Sequence, residues 1–294
     1  MRKSCIAFIG LLHLIPTVVA AGERPATIGE FYESPTRTRV IAHRGFSGAA
    51  PENTRAAIRA AIEVGADMAE IDVTLAADMH VVVIHDPTLD RTTNGSGEVS
   101  RFTLEELKEL DAGSWFDPSF AGERIPTLDE VLAEANGRIL LNVEIKSESV
   151  DRGVVKRVAS AIRGRDMCEQ VVVSSFSPTA LLQMHAIAPE IRTAVLYNTE
   201  FHTGRDAVEI AAELGATVFN IKRQRLTRHM LRRCREQGLP VGTYTVNKPR
   251  RLRRLVRKGI SAIFTDHPDR LLEILRPARN DSAFPAVTPA TAVP

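Results

Sequence analysis

Between residues 39 and 275, short unbroken apolar runs alternate with stretches whose apolar positions recur at helical spacing. The runs cover 39–43, 66–72, 139–146, 171–175, 192–197, 216–220, 240–246 and 262–265. Continuous apolar runs of this length mark parallel strands buried on both faces. The helical segments between them stop at Gly65, Gly215, Gly238 and Gly259, residues that close a helix. Thr103 with Glu106, and Thr127 with Glu130, have capping-box spacing, and Ser177-Pro178 pairs an N-cap residue with a first-turn proline. One interval breaks the rhythm. Residues 72–85 leave no room for a helix, so 73–75 and 81–84 are read as a hairpin about Ala77-Asp78, with 86–126 an irregular insertion. Eight β/α repeats with an insertion after the second strand predict an α/β fold of the TIM (β/α)8 barrel type. Two packed α/β domains are the fallback.

At 294 residues the chain suits one barrel with extensions. Arg2 and Lys3 precede an apolar run from Cys5 to Val19 and a small-residue exit at Ala20, Ala21 and Gly22. This pattern predicts a signal peptide over 1–21, hence a periplasmic or secreted protein, with a membrane anchor as the competing reading. Residues 22–38 then form an N-terminal extension, 39–275 the barrel, and 276–294, rich in Ala, Pro and Thr, a disordered tail. Lys and Arg total 38 against 36 acids, which argues against a nucleic-acid binder working by bulk charge. The basic helices at 222–235 and 250–258 are read as solvated outer faces of the barrel. Cys5, Cys168 and Cys234 form no CxxC and exclude a cysteine-rich zinc site; pairing of Cys168 with Cys234 stays open.

Barrel enzymes work at the carboxyl ends of their strands, so polar residues ending apolar runs are the candidates. The first run ends in His43-Arg44-Gly45, the second carries Glu70 and Asp72, the next Glu144 and Lys146, and the hairpin arm ends in His85-Asp86. Residues two apart on a strand share a face. Glu70, Asp72 and Glu144 would therefore converge and repel one another unless a cation neutralised them, and an all-oxygen set favours Mg2+ or Ca2+ over zinc. An internal ion-pair network with Arg44 and Lys146 is the competing role. Two histidines suit general acid–base work, and Arg44 and Lys146 suit a phosphate; together they point to phosphodiester cleavage. His80, His185, His202, His229 and His267 are assigned to surface or packing roles. No G-x-S-x-G elbow, Walker A loop or G-x-G-x-x-G fingerprint occurs.

The ordered set His43-Arg44-Gly45, Pro51-Glu52-Asn53-Thr54, Glu70-Ile71-Asp72, His85-Asp86, Arg91-Thr92-Thr93-Asn94-Gly95 and Gly122-Glu123-Arg124-Ile125-Pro126-Thr127-Leu128 resembles the glycerophosphodiester phosphodiesterase family. The resemblance continues through Glu144-Ile145-Lys146, Tyr244-Thr245-Val246-Asn247 and Phe264-Thr265-Asp266-His267-Pro268-Asp269. It implies hydrolysis of a glycerophosphodiester to glycerol 3-phosphate and an alcohol. It further implies a divalent metal, Mg2+ or Ca2+, on Glu70, Asp72 and Glu144, with His43 and His85 as the acid/base pair and Arg44 and Lys146 on the phosphate. Glu52 either orients the His43 loop or caps the helix after it. Phe176, Phe219 and Tyr244 are candidates for the pocket wall, with core packing the competing role for the two phenylalanines. Tyr244 stands where the family often has Trp, and the insertion is short, as in the compact bacterial members. The expected partner is a small-molecule glycerophosphodiester, without nucleic acid and without a membrane span after leader cleavage. The rival readings are a lysophospholipase D-type activity on lipid head groups, a non-catalytic binding protein on the same barrel, and a magnesium enzyme abstracting a carbon-bound proton.

Overall fold

The computed structural model describes residues 24–33, 37–197 and 202–276. The segment read as a leader and all but the first residue of the tail lie outside them. Among the described residues nine strands form: β1 (Arg39–Ala42), β2 (Met68–Leu75), β3 (Val81–Val83), β4 (Leu140–Ile145), β5 (Val171–Ser175), β6 (Thr193–Leu196), β7 (Val218–Lys222), β8 (Val241–Tyr244) and β9 (Ala262–Thr265). Eight of them run parallel in the order β1-β2-β4-β5-β6-β7-β8-β9, and β1 closes the barrel by pairing with both β2 and β9, Ile41 facing Met68 and Phe264. β3 pairs antiparallel with β2, Val73 opposite Val83. The expected hairpin is present, but its first arm is no separate element: β2 runs unbroken past Asp72 to Leu75.

Alternation along each strand divides the barrel into two cores. Outward residues such as Val40, Ile71, Val143 and Val173 pack under the helices with Ile58, Leu132, Val158 and Met184. Inward residues Ile41, Met68, Leu140, Val172, Ala194, Val218, Ala262 and Phe264 fill the barrel base. Both capping boxes form, Thr103 with Glu106 and Thr127 with Glu130, and Ser177 caps the helix that Pro178 opens. The insertion has a small core of its own around Val82, Leu89, Val99, Leu107 and Ile125. Cys168 and Cys234 are both free.

Part of the segment expected to be a mere extension has a structural task. The helix Ile28–Glu33 seals the amino-terminal end of the barrel with Ile28, Phe31 and Tyr32, all packed on the inward cluster. Arg39 holds it there, donating from Nε to the Phe31 carbonyl at 3.2 Å. Phe31 is 1% exposed, and truncating a buried phenylalanine costs about 3–5 kcal/mol. Phe31→Ala is therefore expected to lower the urea midpoint clearly while leaving the pocket at the other end of the barrel assembled; an unchanged midpoint would show that the plug carries no stability.

Candidate active site

The carboxyl end of the barrel holds a cavity of about 280 Å³ lined by His43, Arg44, Glu70, Asp72, His85, Glu144, Lys146, Ser174, Phe176, Leu196, Lys222, Tyr244, Thr245 and Phe264. Nine of the candidates from the sequence, from six separate stretches of chain, meet here. His43 follows β1, and the loop after it turns at once. Arg44 sits at φ 56°, a conformation costly for a side chain of its size. Its backbone N–H donates to Glu70 Oε2 at 2.8 Å. Gly45, at φ 76°, is pressed onto the next helix so closely that a Cβ would lie 2.6 Å from the Ala57 Cβ. The sharp turn thus places His43 and Arg44 over the strand ends.

The acids form a tight group. One oxygen from each of Glu70, Asp72 and Glu144 lies within 4.8 Å of the others, and Glu70 and Asp72 are buried. Lys146 Nζ is 2.8 Å from Asp72 Oδ1 and 2.7 Å from Glu144 Oε1. Asp72 Oδ2 also accepts from Asn53 Nδ2 at 2.9 Å. Burial and the neighbouring Asp72 charge hold the Glu70 carboxyl well above the usual range. Burial also pushes Asp72 up, but Lys146 and Arg44 outweigh it and keep that carboxylate ionised. Glu144 is raised by burial and by Asp72. Lys146, and Arg44 Nε at 3.6 Å from Asp72 Oδ2, are two cations against three acids, so the set has room for more positive charge. Three convergent carboxylates make an oxygen donor set that fits a hard divalent cation.

Both histidines are held at Nδ1 by a carboxylate, His43 by Asp266 Oδ1 at 2.6 Å and His85 by Asp86 Oδ1 at 2.6 Å. Such a bond fixes the ring and leaves Nε2 for chemistry. Their environments differ in sign. Burial pulls the His43 pKa down, but the Asp266 hydrogen bond and the Glu70 charge outweigh it, and the net shift is upward. His85 is lowered: burial and the Lys146 charge outweigh the pull of Asp72 and Asp86.

Thr54, and not Glu52, caps the helix that follows. Glu52 accepts from Arg44 at 2.7 Å and from both terminal nitrogens of Arg91 at 2.8 Å, while Arg91 Nε reaches Asp86 Oδ2 at 2.6 Å. A chain of alternating charge therefore ties the Arg44 loop to His85. Phe176 and Tyr244 line the cavity, their rings edge to face at 6.2 Å. Phe219 does not. It is buried in the outer core with Leu181, Val195 and Ile210, because the inward positions of β7 are Val218, Asn220 and Lys222. Asn220 presses on β8 instead, where a Cβ on Gly242 would lie 2.1 Å from its Oδ1.

Four participants escaped the sequence reading: Asp266, Arg91, Asn53 and Lys222. Asp266 and Lys222 end apolar runs, the same signal that gave His43 and Glu70. Arg91 and Asn53 carry no such signal, since their partners Glu52 and Asp72 are 39 and 19 residues away.

Residues 43–270 match the model of the glycerophosphoryl diester phosphodiesterase family. A glycerophosphodiester phosphodiesterase of Caldanaerobacter subterraneus subsp. tengcongensis is 41% identical over 244 residues, 82% of this chain and 98% of its own. One from Bacillus subtilis is 31% identical over 297 residues, 92% of this chain and 97% of its own. Among solved structures, a phosphodiesterase of Oleispira antarctica in complex with the product sn-glycerol-3-phosphate superposes with a TM-score of 0.75 at 31% identity, covering 81% of this chain and 96% of that one.

Proposed function

The chain belongs to the glycerophosphoryl diester phosphodiesterase family, and from that premise we propose that it hydrolyses glycerophosphodiesters to glycerol 3-phosphate and an alcohol by a metal-assisted, two-histidine route. The observation that carries this reading is the convergence of the acid triad, two carboxylate-held histidines and two cations on one cavity. Glu70, Asp72 and Glu144 would hold the divalent cation, Mg2+ or Ca2+, which supplies Lewis-acid charge to a phosphoryl oxygen when bound. Arg44 and Lys146 bind the phosphoryl oxygens, and Glu52 keeps the Arg44 guanidinium aimed.

The opposite pKa shifts divide the acid–base work. His85, lowered and carrying its proton on Nδ1 toward Asp86, presents an unprotonated Nε2 and takes a proton from the attacking hydroxyl. His43, raised by Asp266, holds a proton on Nε2 and delivers it to the departing alkoxide. Phe176 and Tyr244 wall the cavity against water. Nothing in this geometry favours a lysophospholipase D-type reaction or a silent binding role over this one. The basic start and apolar run of residues 1–21 support export, which N-terminal sequencing of the mature protein would test by a start at residue 21 or 22.

The division of labour predicts a bell-shaped pH profile, its acid limb set by His85 and its alkaline limb by His43. Asp266 raises the His43 pKa, so Asp266→Asn is expected to move the alkaline limb of kcat/KM to lower pH and leave the acid limb in place. Movement of the acid limb instead would reverse the assignment.

A further inference from the structure

Cations at the catalytic end of the barrel fall into two groups. On the β1–β4 side each is matched by acid: Arg44 by Glu52, Arg91 by Glu52 and Asp86, Lys146 by Asp72 and Glu144. On the β7–β8 side they are not. Lys222 ends β7 and lines the cavity, and Arg223 and Arg225 follow it in the loop. Arg228 opens the helix Arg228–Glu236, and Lys248 caps the helix Pro249–Arg257, with Arg250 and Arg251 in its first turn. In a β/α barrel the loops after strands and the starts of the helices share one rim. These seven side chains therefore belong to one rim of the barrel, and Lys222 among them lines the cavity; six are exposed, Arg223 is half-buried, and none has an ion-pair partner among the described residues.

The arrangement runs against local preference. Neither helix has an acid in its first turn, where the positive end of the helix dipole favours one and disfavours arginine. A sequence that keeps cations at such positions is serving something other than the helix. Lys222 also sits across the barrel from the acid triad: β7 is the sixth strand around the barrel and β2, which carries Glu70 and Asp72, the second. A diester with its phosphate at Arg44 and Lys146 thus has a substituent directed toward Lys222 and out over a basic rim.

We propose that Lys222 and the basic rim beyond it form a binding site for a second anionic phosphate, carried by the leaving alcohol of the diester. The chemistry selects an alcohol bearing phosphate over a cationic one such as choline, which Lys222 repels. A lone phosphorylated alcohol and a longer chain of phosphodiester units present the same group to the rim.

This inference rests on the phosphodiesterase reading, and the test separates the two. The full chain is assayed on glycerophosphoglycerol, on the same diester with a terminal phosphate, and on glycerophosphocholine, reading glycerol 3-phosphate as kcat/KM. Failure on all three would sink the phosphodiesterase reading; hydrolysis without preference would sink only this inference. The expected result is about a tenfold preference for the phosphate-bearing diester over the neutral one, carried mainly by KM and shrinking as salt rises. Lys222→Met should erase most of that ratio, and Arg250→Gln with Arg251→Gln should reduce it by less. A ratio unaffected by either variant would overturn the proposal. In a second arm the variants are sedimented with phosphatidylglycerol and with phosphatidylcholine vesicles. Loss of binding to the anionic vesicles with an unchanged substrate ratio would make the rim a bilayer contact and also overturn it. If the ratio falls, longer oligomers of the same diester decide the source, a gain with chain length marking a polymer and none a small molecule.

Discussion

His43→Ala and His85→Ala are each expected to lower kcat/KM by about a thousandfold, the middle of the range for losing a general acid or base, equivalent to about 4 kcal/mol of transition-state stabilisation. The two variants should differ when the leaving group changes. A p-nitrophenolate needs no proton, so the p-nitrophenyl ester of glycerol phosphate should recover most of its rate in His43→Ala and little in His85→Ala. The basis is the environment of each ring. Asp266 at 2.6 Å and Glu70 favour the charged form of His43, while burial and Lys146 favour the neutral form of His85. Equal recovery in both variants would contradict the division of roles. Recovery in His85→Ala alone would exchange them.

Removing the divalent cation should abolish turnover and also loosen the fold, and the second effect can be read without substrate. A ligand present at a hundred times its dissociation constant stabilises the folded state by about 2.7 kcal/mol. With Glu70, Asp72 and Glu144 as the binding set, EDTA should lower Tm by several degrees and Mg2+ or Ca2+ should restore it. Glu70→Gln should be insensitive to both. That variant removes one of the three charges but keeps an oxygen to accept from the Arg44 backbone, so its own fold should hold. A cation-dependent Tm that persists in Glu70→Gln would place the ion elsewhere, and a Tm indifferent to chelation in the native chain would leave the triad to Lys146 and Arg44.

The barrel was legible because its strands are buried on both faces and so read as unbroken apolar runs; β5 and β9 coincide with their runs to the residue. The same logic found most of the site, since a polar side chain interrupting such a run must have a reason to be there. It failed where the reason depends on which way a residue points. Phe219 lies in an apolar run whose sequence does not say which way it points, and the register of β7 turns it outward and Lys222 inward. It failed also where partners are remote: Asp266 meets His43 across 223 residues, and only closure of β9 on β1 joins them. The plug at Ile28–Glu33 is too short for its period to show. The pattern of the basic helices predicts plain solvated surface, which describes their outer faces. Their first turns differ, because the fold puts them on the rim to which Lys222 also belongs.

The account stands on one reaction, and phosphorus-31 NMR of the full chain with glycerophosphoglycerol and Mg2+ or Ca2+ tests it directly. The diester resonance should be replaced by a single monoester resonance that matches glycerol 3-phosphate, and EDTA should prevent the change. A diester signal that persists with either metal, or one that decays equally in the presence of EDTA, would contradict it.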